Sequence, residues 1–170
     1  MLFKIDSFLL EEKIMSNASQ LVDVLTRKGL TIGSVESFTG GLFAKTITDV
    51  SGASNCFKGS LVTYSEELKI KLLGMSKEFI DTNGIVSWGV AKEMAIKGQK
   101  VLGVDICVSF TGNAGPNVLP GEAGVGEVYM AILYKGQVWP IPLKLEVERE
   151  KVRELSVDSV INALLSILGK

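Results

Sequence analysis

Apolar residues fall at helical spacing from about residue 15 to 28, where Leu21, Val22, Val24 and Leu25 share a face of IMSNASQLVDVLTR and Gly29 ends the pattern. LTIGSV (30–35) reads as a first strand, and GGLFAKTITDV, from about 40 to 50, resumes the helical period. After the loop SGASN (51–55), the β-branched and aromatic run SLVTY (60–64) predicts a second strand. EELKIKLLGM then predicts a helix stopped by Gly74, SKEFIDTNG a short helix with a turn, and SWGVAKEMAIKGQKVLG a longer helix. VDICVSFTG (104–112) is almost continuously apolar, as a strand buried on both faces should be. GEVYMAILYKGQVWPIPLKL divides at Lys135-Gly136 into the two strands of a hairpin, and VEREKVRELSVDSVINALLSILG closes the chain as a long amphipathic helix.

Helices interleave with strands before the hairpin arrives. That order predicts an α/β fold: a single-domain three-layer α/β/α sandwich whose mixed sheet is covered by helices on both faces. The 170 residues suit one domain, and no repeat or linker marks a second. The domain is expected over residues 15–170, with residues 1–14 as a loose N-terminal arm.

Composition narrows the chemistry. With 46% hydrophobic residues one core is well supplied, and a formal net charge of −1 gives no overall field that draws in nucleic acid or acidic membranes. Lys and Arg are scattered, without a basic stripe interleaved with aromatics, so nucleic-acid binding is not expected. Charges interrupt every apolar window well short of the ~20 residues that span a bilayer, and MLFKIDSFLLEEK has no small-residue cleavage site. A cytoplasmic protein is the expectation. The chain has no histidine, which removes a Ser-His-Asp triad, an HExxH metal site and imidazole acid–base chemistry. Candidate bases are then Lys, Tyr, Asp and Glu. Cys56 and Cys107 sit far apart among apolar residues and read as buried structural thiols.

Ligands of open α/β sheets gather at the carboxyl ends of strands. Three expected strand ends carry polar residues that a simple corner does not need. The first is Glu36-Ser37-Phe38-Thr39-Gly40-Gly41, the second Thr63-Tyr64-Ser65, and the third Ser109 to Pro116, SFTGNAGP. Gly40 and Gly41 at a helix start let backbone N–H groups approach an anion, and Thr39 adds a hydroxyl. Ser37 on a strand-to-helix corner is an exposed alcohol. If Ser65 caps the next helix, Lys69 lies near its positive end, where the dipole and partial burial favour the neutral amine that accepts a proton. Tyr64, beside it in sequence, is placed to relay that proton. Each piece also has a plainer reading: a capped turn, a strand aromatic, a solvated helix charge, a tight loop. Residue types alone point to a small-molecule site for an anionic ligand.

The strings ESFTGG, VTYSEELK followed by LLG, and TGNAGP followed by VGEVY occur in fixed order. Together they resemble the C-terminal domain family of competence/damage-inducible protein A (CinA), from about residue 16 to the end. The resemblance implies a single α/β/α sandwich and a nicotinamide-mononucleotide deamidase, which hydrolyses the carboxamide to nicotinic acid mononucleotide and ammonia without a metal or other cofactor. It further implies Ser37 as nucleophile, Tyr64 and Lys69 as the proton-moving pair, and Ser54 as a substrate contact. Thr111, Gly112, Asn113 and Gly115 are implied as a substrate wall, Arg149 as a phosphate contact, and a homodimer as the assembly. Several positions depart from the family pattern: Phe38, Gly59-Ser60, the loop NVLPGEAG (117–124), Glu127, and Val147-Glu148. A carboxylate at 127 is expected to repel a phosphate. These changes keep open an inactive or divergent nucleotide-binding or scaffold module of the same fold.

Overall fold

The computed structural model describes residues 6–118 and 121–169. The first five residues of the expected arm, and Leu119 and Pro120 of the 117–124 loop, lie outside the described residues. The rest of that arm is not loose. Helix α1 spans Ser7–Lys28, and the Asp6 carboxylate caps it by accepting from Phe8 N at 3.0 Å. Leu10, Ile14, Ala18, Leu21 and Leu25 recur at intervals of three or four, so the helical stripe begins well before residue 15. All five are buried, and Gly29 ends the helix in the left-handed region at φ 64°.

Strand β1 (Ile32–Glu36), helix α2 (Leu42–Thr48), a 3-10 turn (Ala53–Asn55) and strand β2 (Phe57–Val62) follow. Next come α3 (Glu66–Leu73), α4 (Lys77–Asn83) and α5 (Trp88–Leu102). Strands β3 (Ile106–Gly112), β4 (Glu127–Tyr134) and β5 (Gln137–Lys144) precede α6 (Arg149–Leu168). The sheet runs β2-β1-β3-β4-β5, with the first three strands parallel and the last two antiparallel to their neighbours. The mixed sheet is as expected. One boundary differs: β2 starts three residues before the predicted 60–64 and ends at Val62, which leaves Thr63 and Tyr64 outside the strand. Phe57 pairs with Ile32 and Gly59 with Gly33 of β1, so the register shifts at Lys58, the extra residue between them.

Helices α1, α2 and α6 cover one face of the sheet, packing with Ile32, Val108, Phe110 and Met130. Helices α3, α4 and α5 cover the other, against Val35, Cys107, Ala131 and Leu133. Gly98 lets α5 lie close to β1, since a Cβ there would sit 2.2 Å from a Val35 methyl carbon. Polar links tie α1 to α6: Lys13 Nζ donates to Asp158 at 2.7 Å and Asn17 Nδ2 to Asn162 at 3.1 Å. Among the described residues no helix is long and apolar enough to cross a membrane.

Parallel register aligns Glu36 of β1 with Val62 of β2 and Phe110 of β3. Ser37 and Thr63 therefore leave the sheet at its carboxyl edge, beside Thr111 near the end of β3.

Candidate active site

Chain direction brings Ser37 to the edge, and a hydrogen bond from its N–H to Phe110 O (3.0 Å) holds it there. Ser65 caps α3, accepting from Leu68 N at 3.2 Å, so Lys69 starts on the first turn with its side chain inside the sandwich. Lys69 is fully buried. Its Nζ donates to Thr63 O at 2.7 Å and to Ser37 Oγ at 3.0 Å. Neither partner is charged. Burial therefore lowers the amine from its ordinary 10.5 to about 8, with the Glu66 carboxylate pulling weakly the other way. A lysine near 8 exchanges protons close to neutral pH, and its neutral form accepts the Ser37 proton across the same 3.0 Å contact.

The pair opens into a cleft of about 410 Å³. Tyr64, Thr111, Gly112, Asn113 and Arg149 line it with Ser37 and Lys69. Phe38, Ala114, Ile85 and Val86 add to the walls, as do Asn117 and Glu122 of the 117–124 loop. A second cleft of the same volume between α1, α2 and α6 contains Lys45 and Asp49 but no nucleophile beside a buried base.

Not every expected contact serves a ligand. Tyr64 is 60% exposed at the mouth, and its hydroxyl accepts from Arg149 at 3.3 Å. Because β2 ends early, Tyr64 swings outward, and among the described residues it has no bond to Lys69 or Ser37. The direct contact is between serine and lysine, with Tyr64 joined to Arg149. Arg149 also donates to Gly115 O at 2.6 Å, so Gly115 reaches the site through that arginine. The Thr111 hydroxyl donates to Ile85 O at 2.8 Å and braces the segment before α5. Asn113 organises its own loop: its amide nitrogen donates to Asn117 O and Ala123 O while its oxygen accepts from Gly115 N.

Thr39, Gly40, Gly41 and Ser54 do not line the cleft. The anion expected at the glycines is supplied by the protein itself. Buried Glu36 accepts from Gly41 N at 3.0 Å, Phe43 N at 3.1 Å and Ala44 N at 2.9 Å, which occupies the positive end of α2. Thr39 is sealed from solvent, and among the described residues its hydroxyl has no partner. Ser54 precedes β2 and so lies at the amino edge of the sheet, opposite the cleft. Glu36 is the residue that residue-type reasoning passed over; its signal was a carboxylate directly before a Ser-x-Thr-Gly-Gly corner. Glu36→Ala strands three N–H groups in the interior and is expected to lower the melting temperature by about 10 °C in calorimetry.

The departures settle individually. Phe38 packs into the core at 5% exposure while still bordering the cleft. Glu127 turns to Gly124 N (2.8 Å) and Lys144 (3.1 Å), both of which hold its carboxyl below the usual range. It does not line the cleft. Ser60 joins the Glu36 network through Ser34 at 2.8 Å. Both cysteines are free and buried, with Cys107 pushed up to about 12 by desolvation.

Comparison with known proteins agrees with this fold. The CinA C-terminal domain model matches residues 14–168. A CinA-like protein of Flavobacterium psychrophilum is 44% identical over 147 residues, covering 86% of this chain but 34% of its own length. The MG115 homolog of Mycoplasma pneumoniae is 35% identical over 154 residues, covering 90% of this chain and 98% of its own. A crystal structure of the competence/damage inducible protein CihA from Agrobacterium tumefaciens superposes with a TM-score of 0.87 at 29% identity, covering 93% of this chain and 96% of that one. The chain thus spans about a third of the F. psychrophilum relative and nearly all of the M. pneumoniae one. With a family model over almost its whole length and a relative above 40% identity, this chain belongs to the CinA C-terminal domain family.

Proposed function

We propose that the chain is an amidohydrolase that uses Ser37 as nucleophile and Lys69 as base, with nicotinamide mononucleotide as substrate. The observation that carries this reading is the 3.0 Å contact between Ser37 Oγ and a buried amine lowered to about 8. A lysine held without a carboxylate partner is an unfavourable structural choice, and a favourable choice for a base in a chain that has no histidine.

Neutral Lys69 takes the Ser37 proton as Oγ attacks the carboxamide carbon, giving a tetrahedral oxyanion. On collapse the C–N bond breaks and the lysine ammonium returns the proton to the departing ammonia. Water then attacks the acyl ester, with Lys69 again accepting a proton, and the acid is released. Arg149 at the mouth, with N–H donors beyond those given to Gly115 and Tyr64, suits a phosphate two-pronged.

The pH dependence follows from the lowered lysine. The active form is deprotonated, so kcat/KM should rise about tenfold per pH unit below 8 and level off above it. Ammonia release from nicotinamide mononucleotide between pH 6 and 9.5 checks this. A profile flat across that range removes Lys69 as the base. Absence of release at high enzyme concentration returns the chain to the binding or scaffold module.

A further inference from the structure

The serine corner carries a device beyond the nucleophile and its base. Its backbone donors can be accounted for one at a time from residue 37 to 44. Ser37 N donates to Phe110 O, Gly40 N to Ser37 O, Leu42 N to Thr39 O, and Gly41, Phe43 and Ala44 to Glu36. Among the described residues, the N–H groups of Phe38 and Thr39 have no acceptor. Thr39 is sealed at 0% exposure and lies outside the cleft. Phe38 lines the cleft and directly follows the nucleophile. An N–H left unpaired in a nearly buried residue is unfavourable, so it calls for a partner.

We propose that the Phe38 N–H is the oxyanion donor of the reaction and that Arg153 is the positioning residue that aims and strengthens it. The inference rests on the serine–lysine reading. Among the described residues the one cis peptide is Gly115-Pro116, so the peptides of this corner are trans and each N–H points opposite its own carbonyl. Arg153 reaches across from α6, its NH2 donating to Thr39 O at 2.7 Å and its Nε to Phe38 O at 3.2 Å. The Thr39 carbonyl belongs to the same peptide as Gly40 N–H, which donates to Ser37 O at 3.0 Å. The Ser37 carbonyl in turn belongs to the same peptide as Phe38 N–H. A guanidinium charge is therefore relayed through two peptide units, head to tail, to one free donor beside the reacting oxygen. Each acceptance polarises the next N–H, by about 10–30% per bond. No motif in the sequence marks Arg153, because its partners are backbone atoms.

Pyridine-3-boronic acid tests this without turnover. Ser37 Oγ bonds to boron, its proton passes to Lys69, and the tetrahedral boronate places an oxygen where the oxyanion forms. Adduct affinity is read by boron-11 NMR. Replacing Phe38 with phenyllactic acid, by nonsense suppression, keeps the side chain, removes the N–H and, as an ester, leaves Ser37 O a weaker acceptor for Gly40 N. It should weaken the adduct about 10²-fold. Arg153→Met should weaken it about tenfold, lower kcat for the mononucleotide in proportion, and leave KM and the midpoint near pH 8 unmoved. Arg153→Lys should recover part of the loss. Wild-type affinity in the phenyllactate variant overturns the donor assignment. An Arg153→Met protein that melts earlier yet binds boronate like wild type overturns the relay and makes Arg153 a brace. If wild type forms no adduct, or Ser37→Ala forms one equally well, the serine reading itself fails and takes the oxyanion assignment with it.

Discussion

Ser37→Ala is expected to reduce ammonia release from nicotinamide mononucleotide by about 10⁴-fold or more, with substrate affinity nearly unchanged. Removing a nucleophile that acts together with its base removes the covalent route, and what remains is the modest rate a preorganised cleft gives to water. Affinity persists because the cleft's charged contact, Arg149, is held by Gly115 and Tyr64 rather than by Ser37. The fold persists as well. Among the described residues the Ser37 hydroxyl's one partner is Lys69, which keeps its bond to Thr63 O. An ammonia assay paired with isothermal calorimetry of the mononucleotide separates the two quantities. Residual activity above a tenth of wild type would make Ser37 a bystander.

Lys69→Met should abolish turnover to a similar extent and, unusually for a buried site, stabilise the protein near neutral pH. The sign follows from linkage. In the unfolded chain the amine titrates at its ordinary 10.5, in the native state at about 8. Below 8 both states hold the proton, and the native state bears the full penalty of a buried cation, about 3 kcal/mol. From 8 to 10.5 the unfolded chain still binds a proton that the native state has released, so wild-type stability climbs with pH; above 10.5 the penalty is gone. Methionine fills similar space without a charge, and leaving Thr63 O and Ser37 Oγ without their donor takes back about 1 kcal/mol. The net gain near pH 7 is about 2 kcal/mol, or several degrees in melting temperature, shrinking as pH rises through 8 to 10.5. Denaturant melts of both proteins at pH 7 and 10 measure it. A variant less stable than wild type at pH 7 would mean that the amine is not strained in the native state.

Much of the sheet was legible because its strands are written in residue type. Ile106 to Gly112 is nearly all apolar and proves to be a central strand buried on both faces. Lys135-Gly136 marks the hairpin, with both residues at positive φ. The start of α1 was missed although Asp6, Leu10 and Ile14 spell a cap and a stripe, because acidic neighbours at 11 and 12 gave the segment the look of a solvated arm. In the site, Ser37 and Lys69 were readable once histidine was absent, since few residue types remain that can activate a serine. What was not legible is how these groups pair within the protein. Sequence shows which groups are available, not which are already bonded: the Gly41 N–H is consumed by Glu36, the Thr111 hydroxyl by Ile85, and the Glu127 carboxylate by Gly124 and Lys144. Those pairings exist only after strands from distant parts of the chain lie side by side. Ser54 precedes a parallel strand and so lies at the sheet edge opposite the cleft, a placement that needs the strand order to be known.

The pairing of nucleophile and base can be measured without any choice of substrate. Phenylmethanesulfonyl fluoride should sulfonylate Ser37, located by peptide mass, at a rate that rises with pH through a midpoint near 8 and falls at least about 10²-fold in Lys69→Met. Labelling that spares residue 37, or proceeds there at one rate from pH 6 to 9.5 and equally fast without the amine, would contradict an activated serine.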